Sequence, residues 1–206
     1  MILYLIGISC VGKTTIGRLL ADKIGLKFYD LDIEIQNYYK KSIERIQDEC
    51  FSMNEYREKA SIVLDSLFSK DTDSVISGTP SGLKFSYLQV YKKHKAANDL
   101  YSIYIKDSFE NVLGRLTFYD KDSNPITVIM DKTRKRRYLK EIKADYNYFK
   151  DSYSRADFTI DINNVCLNNI PNLIVNELQK NKKLKIAKHN VTNGGRSGNL
   201  VGSALH

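Results

Sequence analysis

No stretch of this 206-residue chain is apolar over anything near the ~20 residues that a bilayer span requires. The opening "MILYLIG" lacks a basic leader and a small-residue cleavage site, so a signal peptide is not expected. Cysteine is scarce and odd in number, with Cys10, Cys50 and Cys166 far apart. That spacing argues against a disulfide framework or a zinc site and for a reducing compartment. A cytoplasmic protein with no membrane partner is the expectation. Acidic residues are missing from 181–206, where Lys182, Lys183, Lys185, Lys188 and Arg196 carry +5 of the net +8. This stretch is rich in Gly, Asn and Ser and has no periodicity. It reads as a basic, disordered tail behind a domain of residues 1–180.

What is present is ordinary for a globular chain: 42% hydrophobic and 27% charged residues, with length for one domain. "ILYLI" (2–6) is a continuous apolar run, as in a strand buried on both faces. Ile16, Leu19, Leu20 and Ile24 then follow at helical spacing, with Gly25 as a stop. "KFYDLD" (27–32), "SVIS" (74–77), "LYSIYI" (100–105) and "DFTID" (157–161) read as four more strands. Between them lie helical segments over 33–69, in two or three pieces, and over 83–95. Asp107 and Glu110 form a capping-box pattern before Val112. Residues 119–132 read as a loop, 134–154 as a basic helix rich in tyrosine, and 167–180 as a closing helix. Strands alternating with helices imply a parallel sheet covered on both faces, with ligands at the carboxyl ends of the strands.

"GISCVGKT" (Gly7–Thr14) sits at such an end and fits G-x-x-x-x-G-K-[ST]. Gly7 and Gly12 let the backbone wrap, so that N–H groups over Ser9, Cys10, Val11 and onward to Thr15 face phosphate oxygens. The following helix aims its positive end at the same anion. Lys13 adds a cation for the β- and γ-phosphates, and the Thr14 hydroxyl suits Mg²⁺. ATP and Mg²⁺ are therefore the expected cofactors. Cys10 is read as a small residue filling the loop, the alternative being a thiol activated by the helix terminus. Asp30 and Asp32, read as strand residues i and i+2, would point to one side. One carboxylate would serve Mg²⁺ through water, and the other would orient an attacking hydroxyl.

The stretch "GISCVGKTTIGRLLADKIGLKFYDLDIEI" closely resembles the opening of shikimate kinases, and "KSIERI" (41–46) and "YREKASIVL" (56–64) continue the likeness. It is close over residues 1–80 and holds in outline over 81–162. The resemblance implies a three-layer α/β sandwich with a five-stranded parallel sheet, a P-loop kinase of the nucleoside-monophosphate-kinase type. It implies transfer of the γ-phosphate of ATP to a hydroxyl of a small, anionic metabolite. By the same resemblance Asp30 serves Mg²⁺, Asp32 the acceptor hydroxyl, and Arg57 the acceptor carboxylate, with Arg115 lying against adenine. Residues 33–69 would bind the acceptor, with Gly78 and Thr79 at its floor, and 116–135 would form a lid.

Four features depart from the family's pattern. Ala60 stands where a glutamate would partner Arg57. The lid segment "LTFYDKDSNPITV" has no arginine, leaving Lys121, Lys132 and Arg134 as stand-ins. Near the last strand only Lys150 offers to replace a second acceptor-binding arginine. Gly78-Thr79-Pro80 replaces a glycine triplet, and proline removes a backbone donor. Two other classes stay open: a nucleoside, nucleotide or sugar kinase, including the toxin type, and a non-catalytic nucleotide-binding regulator. The latter would use the basic helix or the tail on nucleic acid or a protein, against the simpler reading of both as solvated. A monomer is expected.

Overall fold

The computed structural model describes residues 1–97, 99–122, 124–181 and 183. The predicted tail otherwise lies outside them. The chain runs β1 (Ile2–Ile6), α1 (Lys13–Ile24), β2 (Lys27–Asp30), α2 (Leu31–Tyr39), α3 (Ile43–Asp48) and α4 (Met53–Phe68). It continues through β3 (Ser74–Ser77), α5 (Phe85–Lys95), β4 (Leu100–Lys106) and α6 (Phe109–Gly114). Then come β5 (Phe118–Tyr119), β6 (Pro125–Ile126), α7 (Lys132–Tyr153), β7 (Phe158–Asp161) and α8 (Ile170–Lys180).

Five parallel strands form the sheet in the order β2-β3-β1-β4-β7. All five residues of β1 are buried, because alternate side chains meet opposite helical layers. Tyr4 packs edge-on against Phe68, with ring centres 5.4 Å apart, and also meets Tyr91. Leu5 faces α1 on the other side, close to Gly17. This is the three-layer sandwich that the alternating strands and helices imply. Among the described residues no helix is long and apolar enough to cross a membrane.

The strand order reverses between β1 and β3, which opens a crevice at their carboxyl ends. The Gly7–Gly12 loop leaves β1 there, and Gly78–Leu83 leaves β3 beside it. The register sets Ser77 opposite Leu5 on one side and Asp30 on the other. Three segments of potential chemistry are thus gathered by backbone pairing alone.

Several local expectations are corrected. Strand β2 stops at Asp30, whose side chain accepts from the backbone N–H of Asp32 and Ile33 and so caps α2. Asp32 therefore lies in the first turn of a helix, and the strand argument for a shared face does not apply to it. Ser108, and not Asp107, caps α6 by accepting from Asn111 N–H. Residues 119–132 include part of an antiparallel hairpin, β5–β6. The helix expected over 134–154 begins at Lys132, capped by Asp131.

Packing by itself requires a glycine at position 78. A Cβ there would fall 2.5 Å from the Tyr4 ring and 2.7 Å from its hydroxyl oxygen. Tyr4 is fully buried and has nowhere to go. Gly78→Ala is expected to destabilise the fold by about 1–3 kcal/mol, as overpacking does. Urea unfolding checks this; an unchanged midpoint and slope would show that the ring can shift.

Candidate active site

The phosphate loop adopts the wrapped form its glycines allow, with Gly12 at φ 105° and Cys10 at φ 58°. Lys13 is buried, and its Nζ donates to the carbonyls of Gly7 (2.9 Å) and Ile8 (3.0 Å). Burial pushes the ammonium down to about 8, against the opposing pull of Asp32, Cys10 and Asp30. Among the described residues Lys13 forms no salt bridge. A buried cation held only by carbonyl oxygens is short of negative charge, and a polyphosphate fits that need.

Beside the loop lies a cleft of about 390 Å³, lined by Val11, Gly12, Thr15, Arg115, Ile162 and Val165 among others. Its size and mixed lining suit a nucleoside. Arg115 is fixed at its rim: Nε donates to the Cys10 carbonyl at 3.1 Å, and the guanidinium pairs with Asp107 at 2.5 Å. The Asp107 side chain is almost fully buried. Sequence reasoning gave Asp107 a capping role and missed this one.

At the other end of the loop the Thr14 hydroxyl donates to Asp30 Oδ2 at 2.6 Å and lies 3.3 Å from Ser77 Oγ. These are hard oxygen donors, the kind Mg²⁺ prefers. Among the described residues no group of three or more His, Cys, Asp or Glu side chains could cage a metal. Ser77 was not foreseen, since it reads only as the last residue of a strand.

Asp32 keeps solvent access, yet protein crowds it on its other sides. That crowding, ahead of repulsion from Asp30, raises its carboxyl to about 6, while Lys13 pulls it back down. The buried tyrosines Tyr4, Tyr56 and Tyr87 are held above the ordinary phenol range chiefly by burial, with the Asp32 charge adding to it.

Arg57 projects from α4 and is buried. Its partners are neutral: Ser81 Oγ at 3.2 Å, Asn54 Oδ1 at 2.9 Å, and the face of Phe85 at 4.7 Å. Ala60, one turn along, is wholly buried and offers no acid. Tyr87 lies near enough to both Asp32 and Arg57 to feel each charge. Thr79 is buried. Its hydroxyl faces that of Tyr87, although neither meets hydrogen-bond geometry. Pro80 is the second residue of a turn that begins at Thr79, whose carbonyl accepts from Gly82 N–H at 3.1 Å, a position that suits proline. The carbonyls of Pro80 and Ser81 accept from Tyr153 OH and Ser152 Oγ, both at 2.8 Å. The segment after β3 is thereby stapled to the end of α7.

The tip of the 116–135 segment, expected as a lid, rests on α3 and its cap. Ser42 Oγ donates to the Lys121 carbonyl at 2.8 Å, and Arg45 grips Asp122 at 2.6 and 3.0 Å. Of the expected stand-in cations, Arg134 turns back to the Ile129 carbonyl at 2.8 Å. Lys121, Lys132 and Lys150 are exposed. No hydrogen bond or salt bridge among the described residues links any of these four to the phosphate loop.

A buried loop lysine, a hydroxyl–carboxylate pair and a second carboxylate at one sheet edge define a P-loop phosphotransferase. The family model for shikimate kinase matches residues 9–178. Shikimate kinase from Flavobacterium psychrophilum is 28% identical over 163 residues, covering 78% of this chain and 88% of that one. The enzyme from Aquifex aeolicus is 29% identical over 160 residues, covering 78% and 86%. The crystal structure of shikimate kinase from Aquifex aeolicus superposes with a TM-score of 0.68 at 27% identity, over 88% of this chain and 98% of that one. The chain belongs to the shikimate kinase family. It is an ATP-dependent phosphotransferase acting on a hydroxyl, which sets aside a non-catalytic regulator.

Proposed function

We propose that the chain transfers the γ-phosphate of Mg²⁺-bound ATP to a hydroxyl of a small ring carboxylate, with shikimate as the acceptor that its relatives' names point to. The observation that carries this is Arg57: a buried guanidinium whose partners among the described residues are neutral, close to the same Tyr87 that feels the Asp32 charge. A planar, uncompensated fork suits a carboxylate. The absence of an acid at Ala60 leaves its charge to the acceptor.

Each residue then has a role. Lys13 and the loop N–H groups hold the phosphates and draw off charge as it develops. Thr14 and Asp30 would hold Mg²⁺, which supplies Lewis-acid neutralisation of phosphate charge when bound. Asp32 orients the acceptor hydroxyl and takes its proton; a carboxyl raised towards neutrality suits that task. Arg57 anchors the acceptor, Gly78 and Thr79 form its floor, and Arg115 borders the base. The clasped lid excludes water.

ADP release measured over shikimate, its methyl ester, nucleosides and sugars tests the reading. Shikimate is expected to support turnover and the ester to lose most of it. Arg57→Ala should raise the KM for the acid about 10- to 100-fold, the worth of a charged hydrogen bond, and leave that for ATP unchanged. Preference for a nucleoside, or indifference to the carboxylate, would overturn it.

A further inference from the structure

We infer that a cavity beside the nucleotide cleft binds a small organic ammonium ion, and that its occupancy is felt at the nucleotide. This stands apart from the choice of acceptor. The cavity measures about 460 Å³ and lies between the carboxyl end of β4, the start of α6, and α7. Tyr104, Phe109 and Tyr146 supply its rings, and Lys106, Glu110 and Asp161 its rim charges. Among the described residues it shares Asp107 alone with the nucleotide cleft.

An account of its polar groups says what it would take. Tyr104 is only 8% exposed. Its ring stacks on Tyr153 at 4.7 Å, and its hydroxyl has no hydrogen-bond partner among the described residues. Burial, and then the nearness of Tyr146 and Asp161, holds that phenol above its ordinary range, so it stays protonated. The Tyr146 hydroxyl is likewise without a partner, and Glu110 has no ion pair among the described residues. The cation of the lining, Lys106, is already taken by Asp161 at 2.7 Å. What remains unanswered is the oxygen of two phenols and of one carboxylate. Positively charged N–H donors fit that remainder. Aromatic faces favour the same charge. Phe109 already draws one cation, with Lys143 Nζ 5.8 Å from its ring centre. An anion would meet Glu110 and Asp161 with no free cation in the lining to receive it.

Asp107 joins this cavity to the cleft. Its buried carboxylate accepts from Ser108 N–H, from the Asn111 amide and from Arg115. Arg115 in turn donates to the Cys10 carbonyl of the phosphate loop. A cation seated beside Asp107 competes with Arg115 for that carboxylate and loosens the rim of the cleft.

Calorimetry with benzylammonium, the neutral benzyl alcohol and the anion benzoate tests the site. The protein should bind the amine in preference to both. Tyr104→Phe keeps the stacked ring and should weaken the amine about tenfold or more, the worth of a hydrogen bond to a charged group. Glu110→Gln, an exposed position that leaves the fold alone, should weaken it about two- to fivefold. A second readout is the affinity of a non-hydrolysable ATP analogue at rising benzylammonium. It should weaken about fivefold and then level off, as it does for two linked sites. Weakening that grows without limit would put the amine in the nucleotide cleft and overturn the site. So would no binding, equal binding of the alcohol, or full amine affinity in both variants. Analogue affinity that ignores saturating amine would overturn the link to the nucleotide.

Discussion

Lys13→Met is expected to lower kcat by about 10³-fold or more, the scale of losing a cationic clamp on a transferring phosphoryl group, while leaving the melting temperature unchanged or higher. The two effects have one cause. The ammonium is buried, and burial pushes it down to about 8 from an ordinary 10.5. The free protein therefore holds this charge against its solvation preference. Bound phosphate reverses the balance, because the same low-dielectric surroundings strengthen attraction to an anion. Methionine removes the charge and keeps much of the stem. The Ile8 carbonyl still has Val11 N–H as a partner at 3.4 Å. Linkage adds a check on sign. Between about pH 8 and 10.5 the folded state binds fewer protons at Lys13 than the unfolded state, so this group makes stability rise with pH, a slope absent from the variant. Steady-state kinetics and thermal melts read both effects. Activity within tenfold of wild type would remove Lys13 from the chemistry.

Asp32→Asn is expected to lower kcat about 10²- to 10⁴-fold, the usual worth of a positioned general base, and to abolish an acid limb in the pH profile. In the wild type, activity should fall as pH drops through about 6, where Asp32 takes up its proton. An ordinary carboxylate would stay ionised down to about 4. Stability runs the other way. The folded carboxyl has a raised pKa, so its contribution is fully present below the unfolded value of 3.8 and is lost as pH rises through about 6. The protein should thus gain from this group in the window where activity fails. A pH–rate profile beside pH-dependent melts separates loss of the base from acid unfolding. A limb near 4, or one at 6 that survives in Asp32→Asn, would assign the proton elsewhere.

The nucleotide side was legible because its signal is contiguous. β1, the glycine loop, Lys13 and Thr14 occupy one run, and the geometry needs little beyond that run. The five strands were legible as short apolar stretches, since a sheet covered on both faces tolerates little else. The β2–α2 boundary was misread because Asp30 ends an extended run and caps the next helix at once. Asp30 followed by Asp32 and Glu34 in "DLDIE" carries that signal, an N-cap ahead of acids in the first turn. Between Asp107 and Ser108 both residues can cap, and only the fold decides. The hairpin escaped because its strands have two residues each.

The acceptor side was legible only in part because its parts are distant in sequence. Arg57 was singled out by resemblance, but its neutral surroundings required the packing of α4 against Ser81 and Phe85. Proline at position 80 read as a lost donor. The structure shows it inside the turn whose carbonyls accept from Ser152 and Tyr153 at the end of α7. Lys150, the expected stand-in for a second acceptor-binding arginine, is exposed.

The most direct measurement is ³¹P NMR of the purified protein with ATP, Mg²⁺ and shikimate. The account predicts one new phosphate monoester resonance on the acceptor, growing in step with ADP, with little inorganic phosphate. ATP consumed only to inorganic phosphate, or no transfer to a carboxylate-bearing acceptor while a neutral one is phosphorylated, would contradict it.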